Sequence, residues 1–275
     1  MKSPEAESEH WMLGVGCWVL DVLPPAAKSL LPLLLLLAPS SLLAGWALVE
    51  SVSRTAPAGV EFREAVLTDG AARATMYQVR CSPKTHTFAV MDNPAGDYSL
   101  ATAAQKRGAL AAVNGGYFHP DRTPLGLVVR KGAVEHPMER AKLLSGLVVV
   151  TADRVALRRA GEFTMSPAVR EALQAGPFLV DGGKPVAGLN AVREAARTVV
   201  FTDATGRFGF VVCKSVTLAE MAAILATPDL FPGGKITRAL NLDGGSSTGL
   251  WVKGEPAFHL REGKEVRNYL GVVGR

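Results

Sequence analysis

Cysteine is scarce in this sequence, which has three such residues among 275. Cys17 lies near the N-terminus, and Cys81 and Cys213 each end an apolar segment. No C-x-x-C or H-x-x-x-H spacing occurs, so the usual zinc-binding motifs are excluded. Cys81 and Cys213 are typical of small buried apolar residues, and a disulfide between them is the less favoured alternative.

Dense basic runs interleaved with aromatic residues are also absent. The 30 Lys and Arg residues are scattered, and against 25 Asp and Glu residues they give a net charge of +5. This distribution argues against nucleic-acid binding and supports only a mild attraction to anionic substrates. With 48% hydrophobic and 20% charged residues, the composition is that of a globular protein.

Several familiar catalytic motifs are missing. The sequence has no G-x-x-x-x-G-K-[ST] and no G-x-S-x-G, which excludes P-loop proteins and enzymes with a serine on a nucleophile elbow. Asp243, in the segment DGGS, resembles the aspartate of aspartic proteases, but that chemistry needs two aspartates that share one proton. Asn114 holds the only comparable second position and cannot ionise.

One long apolar run divides the chain. Lys28 precedes the run SLLPLLLLLAPSSLLAGWALV, and Gly45 and Ala47 provide small residues near its end, a pattern typical of a signal peptide. An uncleaved membrane anchor is the alternative, although two prolines interrupt the run. The sequence therefore predicts an N-terminal extension (1–50) and a domain (51–275) that is secreted, periplasmic or in the cell envelope. Membrane contact is expected only through the extension, if it is not cleaved.

The domain is rich in predicted strands and has few predicted helices. The strand-like segments are FREAVLTD, ATMYQVRC, THTFAVMD, ALAAVN and ITRALNLD, and the hairpins are LGLVVRKGAV, LSGLVVVTADRVALRR, GPFLVDGGKPV and TVVFTDATGRFGFVVC. A short helix LATAAQKR ends at Gly108, and a capping box of Thr217 and Glu220 begins an amphipathic helix. We predict a single α+β domain with a large mixed or antiparallel sheet and a few packing helices.

Gly-Gly follows an Asn or Asp three times. Asp181 lies at a hairpin tip and is interpreted as a turn residue. Asn114 and Asp243 instead each end an apolar strand, and the bare backbone after them can approach a ligand closely. Two such turns favour one shared anion-binding site, and two unrelated tight turns are the alternative. The residues of this predicted cradle are Gly115, Gly116, Gly244, Gly245, Ser246 and Ser247.

Five segments resemble, in order, the signature blocks of the phosphodiester glycosidase family. They are AAVNGGYFHPDRTPLGLVVRKG, QAGPFLVDGG, ARTVVFTD, ALNLDGGSSTGLWV and VRNYLGV, and the match spans about residues 60–275. The family's motif positions fall on Asn114, Gly115, Gly116, Gly176, Pro177, Arg197, Thr198, Asp243 to Ser247, Arg267 and Asn268. The family often has a third glycine where Ser246 stands, which implies a cradle one residue shorter.

The resemblance implies cleavage of a sugar from a phosphodiester, in which the leaving group is a phosphate monoester. Because the second pKa of such a group is about 6, it needs charge stabilisation more than a proton. On this interpretation Asp243 is the nucleophile or the base for water, and Arg197 binds the phosphate as a bidentate fork. The amides of Gly244 and Gly245 hold its oxygens.

Four further residues are candidates for the site: Asn114, Tyr117, Asp121 and Asn268. Asn114 is expected to bind a sugar hydroxyl or acetamide, Tyr117 to stack on the sugar, and Asp121 to serve as a second carboxylate, the acid. The alternative for Tyr117 is an aromatic residue of the core. The alternative for Asp121 and Asp243 is calcium binding, and calcium is the one cofactor that the sequence leaves open. Asn268 is expected to bind substrate or, with Arg267, only to pin the last strand.

Three functions remain open at this point. The first is an extracytoplasmic hydrolase of glycosyl phosphodiesters, whose partner is a carbohydrate phosphodiester. The second is a non-catalytic polysaccharide-binding or assembly protein of the cell envelope. The third is a transferase that passes the sugar to an acceptor hydroxyl. An open pocket faced by both Asp243 and Arg197 would favour the enzymes.

Overall fold

The computed structural model describes residues 45–275, and within them it contains eighteen strands and two α-helices. The strands are β1 (Ala47–Arg54), β2 (Val60–Asp69), β3 (Ala72–Cys81), β4 (His86–Asp92), β5 (Ala111–Asn114), β6 (Val128–Arg130), β7 (Ala133–His136), β8 (Gly146–Val150), β9 (Val155–Arg159), β10 (Glu171–Ala175), β11 (Phe178–Asp181), β12 (Lys184–Pro185), β13 (Ala195–Asp203), β14 (Phe208–Val216), β15 (Ile236–Asn241), β16 (Leu250–Val252), β17 (Phe258–Leu260) and β18 (Asn268–Gly274). The helices are α1 (Leu100–Arg107) and α2 (Leu218–Ala226).

The strands form three antiparallel sheets. The largest has eight strands in the order β1-β2-β3-β14-β13-β15-β11-β12. The second has the order β7-β6-β10-β8-β9, and the third has the order β17-β16-β5-β18-β4. The predicted α+β domain with a large antiparallel sheet and a few helices is confirmed, and the predicted hairpins β6–β7, β8–β9, β11–β12 and β13–β14 all form.

Apolar residues of all three sheets pack into one main core, which includes Phe88, Val113, Phe178, Phe210 and Leu270. A second core lies between the large sheet and α2, and a third lies under α1 against the third sheet. Strands β5 and β13 contain predicted site residues, and β15 leads directly to Asp243. Because these strands pack into the cores, the positions of the turns after β5 and β15 are fixed.

Both helices form where the sequence predicts them. The Ser99 side chain accepts a hydrogen bond from the Thr102 amide at the start of α1, and Gly108 ends this helix at φ +70°, where glycine is favoured. Thr217 and Glu220 form a capping box that begins α2. Within residues 45–275, neither helix is long and apolar enough to cross a membrane.

The folded domain begins a few residues earlier than the sequence predicts. Strand β1 begins at Ala47 and pairs with β2, and Trp46 is buried in the second core, so the folded unit starts before the predicted boundary at residue 51. The predicted signal peptide or membrane anchor lies almost wholly within residues 1–44, which are outside the described residues.

Cys81 and Cys213 are buried free thiols, and burial raises the pKa of each to about 12. The disulfide alternative is therefore wrong.

Candidate active site

Asp243 and Arg197 line one cleft of about 470 Å³. Asp243 follows the end of β15, and Arg197 lies in β13, the neighbouring strand of the large sheet. The other lining residues are Tyr117, Leu143, Pro177, Asn190, Arg193, Ala195, Leu218, Asn241, Gly244, Gly245, Ser246 and Lys264. Volumes of about 300–1,000 Å³ are usual for small-molecule sites.

The two predicted Gly-Gly turns contact each other, and the turn after Asp243 lines the cleft. The amide of Asp243 donates to the carbonyl oxygen of Gly115 over 3.1 Å, and the amide of Leu242 donates to Thr198 over 2.8 Å. The first contact joins the end of β15 to the end of β5, which belongs to a different sheet. The turn after Asp243 is therefore held from two sides.

The carboxylate of Asp243 is held by two short-range donors. Its Oδ1 accepts from the Gly244 amide over 2.9 Å, and its Oδ2 accepts from the Ser247 hydroxyl over 2.5 Å. Burial raises the pKa of Asp243, and these two hydrogen bonds and the charge of Lys264 lower it in part. The side chain is thus a fixed, partly desolvated carboxylate at the cleft wall.

Arg197 is positioned by main-chain oxygens alone. Its Nε donates to Val216 over 3.0 Å, and one Nη donates to Arg193 over 2.6 Å. It forms no ion pair with any carboxylate of residues 45–275, and burial lowers its pKa. Because its charge is fixed and uncompensated, it can bind an anion that enters the cleft.

The turn after Asp243 presents free amides. Gly245 has φ +62°, and the amides of Gly245 and Ser246 find no acceptor in the part of the chain that the structure describes. A Cβ atom at Gly244 would lie 2.8 Å from the Ala196 oxygen, so close packing requires glycine there. Unlike the Gly244 amide, which binds Asp243, these two amides are available to a ligand.

Asn114 does not reach the cleft, contrary to the expectation that it binds the sugar. It is fully buried, and its Nδ2 donates to the Asp243 carbonyl over 2.7 Å. Its Oδ1 accepts from the Thr198 hydroxyl over 2.7 Å and from the Gly249 amide over 3.3 Å. The side chain therefore supports the Asp243 turn and leaves no atom for a substrate.

Gly115, Gly116 and Asn268 are also structural, which corrects their assignment to substrate binding. The Gly115 amide donates to the Asn268 carbonyl over 2.9 Å, and the Gly116 amide donates to Asn268 Oδ1 over 2.9 Å. All three residues are buried, and a side chain at Gly115 would collide with Asn268. Arg267 forms an ion pair with Asp92, so this pair of residues pins β18.

The position of Ser247 corrects its assignment to substrate binding, whereas the stacking of Tyr117 on a sugar stays a prediction. Ser247 is fully buried and binds Asp243, so it acts on the carboxylate and not on a substrate. Tyr117 lines the cleft, but its hydroxyl lies 2.6 Å from the Gly176 oxygen and accepts from Asn241 Nδ2 over 3.0 Å. Burial, with the charge of Asp243, raises the pKa of Tyr117. Its ring is a wall of the cleft.

Asp121 lies outside the cleft, which contradicts its assignment as the acid. It is exposed in the turn after Phe118, and it accepts from the Thr123 amide over 2.9 Å. This hydrogen bond lowers the pKa of Asp121, the wrong direction for a general acid. Asp121 and Asp243 do not share a site, and among residues 45–275 no group of three His, Cys, Asp or Glu residues is arranged to hold a metal ion.

Two cations at the cleft, Arg193 and Lys264, could not be predicted from the sequence. Both lie in exposed segments without a motif, so only the fold shows their position. Arg193, Arg197 and Lys264 against Asp243 give the cleft wall a formal charge of +2. Lys264 also lies 5.0 Å from the centre of the Phe118 ring. The arrangement is a single carboxylate beside a surplus of positive charge, which suits an anionic ligand.

Comparisons with known proteins show the family and the fold of the chain. The family model for phosphodiester glycosidases matches residues 107–273. The catalytic domain of zebrafish N-acetylglucosamine-1-phosphodiester alpha-N-acetylglucosaminidase, auto-inhibited by its pro-peptide, has a similar fold, with a TM-score of 0.59 and 14% identity over 82% of this chain and 88% of that one. A hypothetical protein from Synechocystis gives a TM-score of 0.56 and 17% identity over 79% of this chain and 62% of that one, so the match covers less than two thirds of its length. No curated protein sequence matches.

Proposed function

The chain belongs to the phosphodiester glycosidase family, and on that premise we propose that it is an extracytoplasmic hydrolase that cleaves a sugar from a glycosyl phosphodiester of a glycan or exopolysaccharide. The observation that supports this most strongly is that Asp243 and Arg197 line the same cleft. Arg197 binds only main-chain oxygens and has no ion-pair partner among the described residues. A diester phosphate carries one negative charge, and a wall with a formal charge of +2 attracts it.

In this proposal Asp243 acts at the anomeric carbon of the sugar. Either its carboxylate attacks that carbon and water later releases the sugar, or it takes a proton from a water that attacks directly. In both routes the bond from the anomeric carbon to the phosphate oxygen breaks, and its electron pair leaves with the phosphate monoester. The hydrogen bonds from Gly244 and Ser247 keep the carboxylate oriented toward the reacting carbon.

The leaving group needs no separate acid on this account. A phosphate monoester with a second pKa of about 6 departs as an anion near neutral pH. Arg197 and the free amides of Gly245 and Ser246 stabilise its developing charge. Lys264 adds a second cation whose charge reaches Asp243. The exposed position of Asp121 is consistent with a reaction that requires only one carboxylate.

The extracytoplasmic location rests on the sequence of the N-terminal extension, with its basic residue, apolar run and small residues. A domain exported by this route would meet phosphodiester-linked glycans of the envelope.

A panel of substrates tests the proposed activity. The purified full chain would be incubated with hexose and N-acetylhexosamine 1-phosphate methyl diesters, and the released sugar and phosphate monoester would be measured. We expect release of both products from at least one member of the panel. Tight binding of the diesters without turnover would instead support the polysaccharide-binding alternative, and sugar transfer to an added alcohol in place of water would support a transferase.

A further inference from the structure

Strand β1 forms one edge of the eight-stranded sheet. Within residues 45–275 it has one neighbour in the sheet, β2, so the peptide groups on its other side have no partner strand in that part of the chain. All eight of its residues are exposed. Because peptide N–H and C=O groups along a free edge pair readily with another extended segment, β1 offers a place for an additional strand.

The opposite edge of the same sheet is protected against such pairing. It is β12, which consists of Lys184 and Pro185. A very short edge strand with a lysine and a proline prevents edge-to-edge association, since proline has no amide hydrogen and the lysine charge must stay hydrated. Strand β1 is longer and contains neither residue type. Within the described residues, this sheet therefore has one protected edge and one edge that is able to pair.

Strand β1 also exposes apolar side chains. Leu48, Val49 and Val52 are 42%, 52% and 48% exposed. No other strand between residues 45 and 275 exposes more than one large apolar side chain to this extent. Association at this edge would remove the apolar area from water, which favours a bound state.

Residues 50–54 are the regular part of β1. The register with β2 shifts between Leu48 and Glu50, and from Glu50 to Arg54 it is continuous. A bulge bends an edge away from a new partner strand, so the regular segment is the part best suited to pairing. Its sequence is ESVSR.

The segment ESVSR is complementary to itself in the antiparallel direction. When two copies pair with Val52 on the two-fold axis, Glu50 of each copy lies opposite Arg54 of the other. Ser51 of each copy then lies opposite Ser53 of the other, and the two Val52 side chains are neighbours. A symmetric dimer needs such a surface, because the same residues meet on both sides of the axis.

Both charged side chains are accessible for these contacts. Glu50 is exposed, and it forms no hydrogen bond or ion pair with another residue of the range 45–275. Arg54 forms an ion pair with Glu64 of β2, and its side chain is still 46% exposed. A guanidinium group has five N–H donors, so Arg54 can bind Glu64 and a carboxylate of a second copy together.

We propose that this chain forms a two-fold symmetric dimer, in which β1 pairs antiparallel with β1 of a second copy around Val52. The pairing joins two eight-stranded sheets into one continuous sheet. No residue of β1 lines the cleft that holds Asp243, so the dimer is independent of the proposed reaction.

Sedimentation velocity of the purified full chain over a concentration series measures this association. We expect a species with twice the mass of one chain, which dissociates on dilution. Glu50→Arg and Arg54→Glu each place like charges opposite one another at two symmetry-related positions, so the dissociation constant should rise by at least about tenfold. The matched control is Arg154→Glu, an exposed charge reversal in the turn between β8 and β9, which should leave the constant unchanged.

A mixture of the two single variants tests the register. In a dimer of one Glu50→Arg chain and one Arg54→Glu chain, each arginine at these positions faces a glutamate. We therefore expect the equimolar mixture to form dimers although neither variant does so alone, and the double variant Glu50→Arg/Arg54→Glu to dimerise by itself. Association through another surface, such as the apolar run of the N-terminal extension, would not depend on this exchange.

Val52→Arg is a second probe that preserves the pairing of β1 with β2. Val52 lies opposite Glu64, so the longer side chain can be accommodated within one copy, whereas at the two-fold axis it would face a like charge. Far-UV circular dichroism checks that each variant is folded. A wild-type chain that is monomeric at every concentration, or a dimer that is equally stable in the single variants, would overturn the proposal. A mixture of the single variants that stays monomeric would overturn it as well, because Glu50 would then not face Arg54.

Discussion

The Nδ2 atom of Asn114 donates a hydrogen bond of 2.7 Å to the carbonyl oxygen of Asp243, a residue 129 positions later in the chain. Through this bond the end of β5 holds the turn that carries the proposed catalytic carboxylate. Both residues follow apolar strands and both precede Gly-Gly, yet only Asp243 faces the cleft. One Gly-Gly turn therefore carries the proposed catalytic carboxylate, and the other supports it.

Replacement of Asn114 by Ala should destabilise the fold and the site together. The substitution removes the donor to Asp243 and the acceptor of the Thr198 hydroxyl, both buried. We expect a loss of about 2 kcal/mol or more in the free energy of unfolding, because buried partners are left unsatisfied. Urea unfolding followed by circular dichroism measures this. Unchanged stability together with a raised KM would show that Asn114 contacts the substrate after all.

The hydroxyl of Ser247 should set the acid limb of the pH profile. It donates to Asp243 and lowers the pKa of that carboxyl. Its removal in Ser247→Ala raises this pKa, so at a given acidic pH a smaller fraction of Asp243 is ionised. Because the proposed mechanism requires the ionised form, the acid limb of kcat/KM should move to higher pH.

The neighbouring serine provides the control for this prediction. Ser246 lines the cleft, but its hydroxyl does not bind Asp243. Ser246→Ala should leave the acid limb where it is in the wild-type protein. An equal displacement in both variants, or in neither, would mean that the hydrogen bond from Ser247 does not govern the ionisation.

Arg197→Lys should reduce catalysis without abolishing it. Lysine keeps the positive charge but cannot donate simultaneously to Val216, to Arg193 and to a phosphate with fixed geometry. We expect kcat/KM for a glycosyl phosphodiester to fall by about tenfold, which corresponds to about 1.4 kcal/mol of transition-state stabilisation.

Arg193→Lys is the matched comparison, since Arg193 holds Arg197 through its main-chain oxygen and this substitution retains that atom. Its kcat/KM should stay close to that of the wild-type protein. If Arg197→Lys keeps the activity of the wild-type protein as Arg193→Lys does, then the positive charge alone matters and the bidentate role of Arg197 is wrong.

Processing of the N-terminal extension can be examined on protein from the cell envelope. Trp46 is 6% exposed and packs in the core between the large sheet and α2. We therefore expect N-terminal sequencing of the mature protein to show a chain that lacks residues 1–28 and most of the apolar run but retains Trp46. An intact chain that begins at Met1 and is recovered from the cytosol would contradict the export proposal.

The local elements of the fold were predictable because their signals lie within a few residues. The capping box of Thr217 and Glu220 and the left-handed Gly108 each act over one helical turn. The local sequence is therefore enough to predict these helix ends. Strand β10 lacks such a signal. Its residues EALQA favour a helix by propensity, and pairing with β6 and β8 overrides this preference.

The site was predictable only in part, for a related reason. The DGGSS segment marks Asp243 because its composition is unusual for the end of a buried strand. The turn at Asn114 has the same Gly-Gly pair, but its amides are used by Asn268, which is 152 positions from Gly116. A partner so distant in sequence cannot be deduced from the turn itself. Lys264 reaches the cleft from a loop whose local sequence has no motif.

The substitution Asp243→Asn tests the central claim most directly. Asparagine is nearly isosteric and can still accept from Gly244 or Ser247, and it removes a carboxylate whose pKa is raised by burial, so the melting temperature should be unchanged or higher. Release of sugar from the glycosyl phosphodiester that the wild-type chain hydrolyses should fall by at least ~10²-fold, since the variant has neither a nucleophile nor a base at this position. Retention of turnover, or unfolding of the variant, would contradict the account, because Asp243 would then be dispensable for the chemistry or required only for structure.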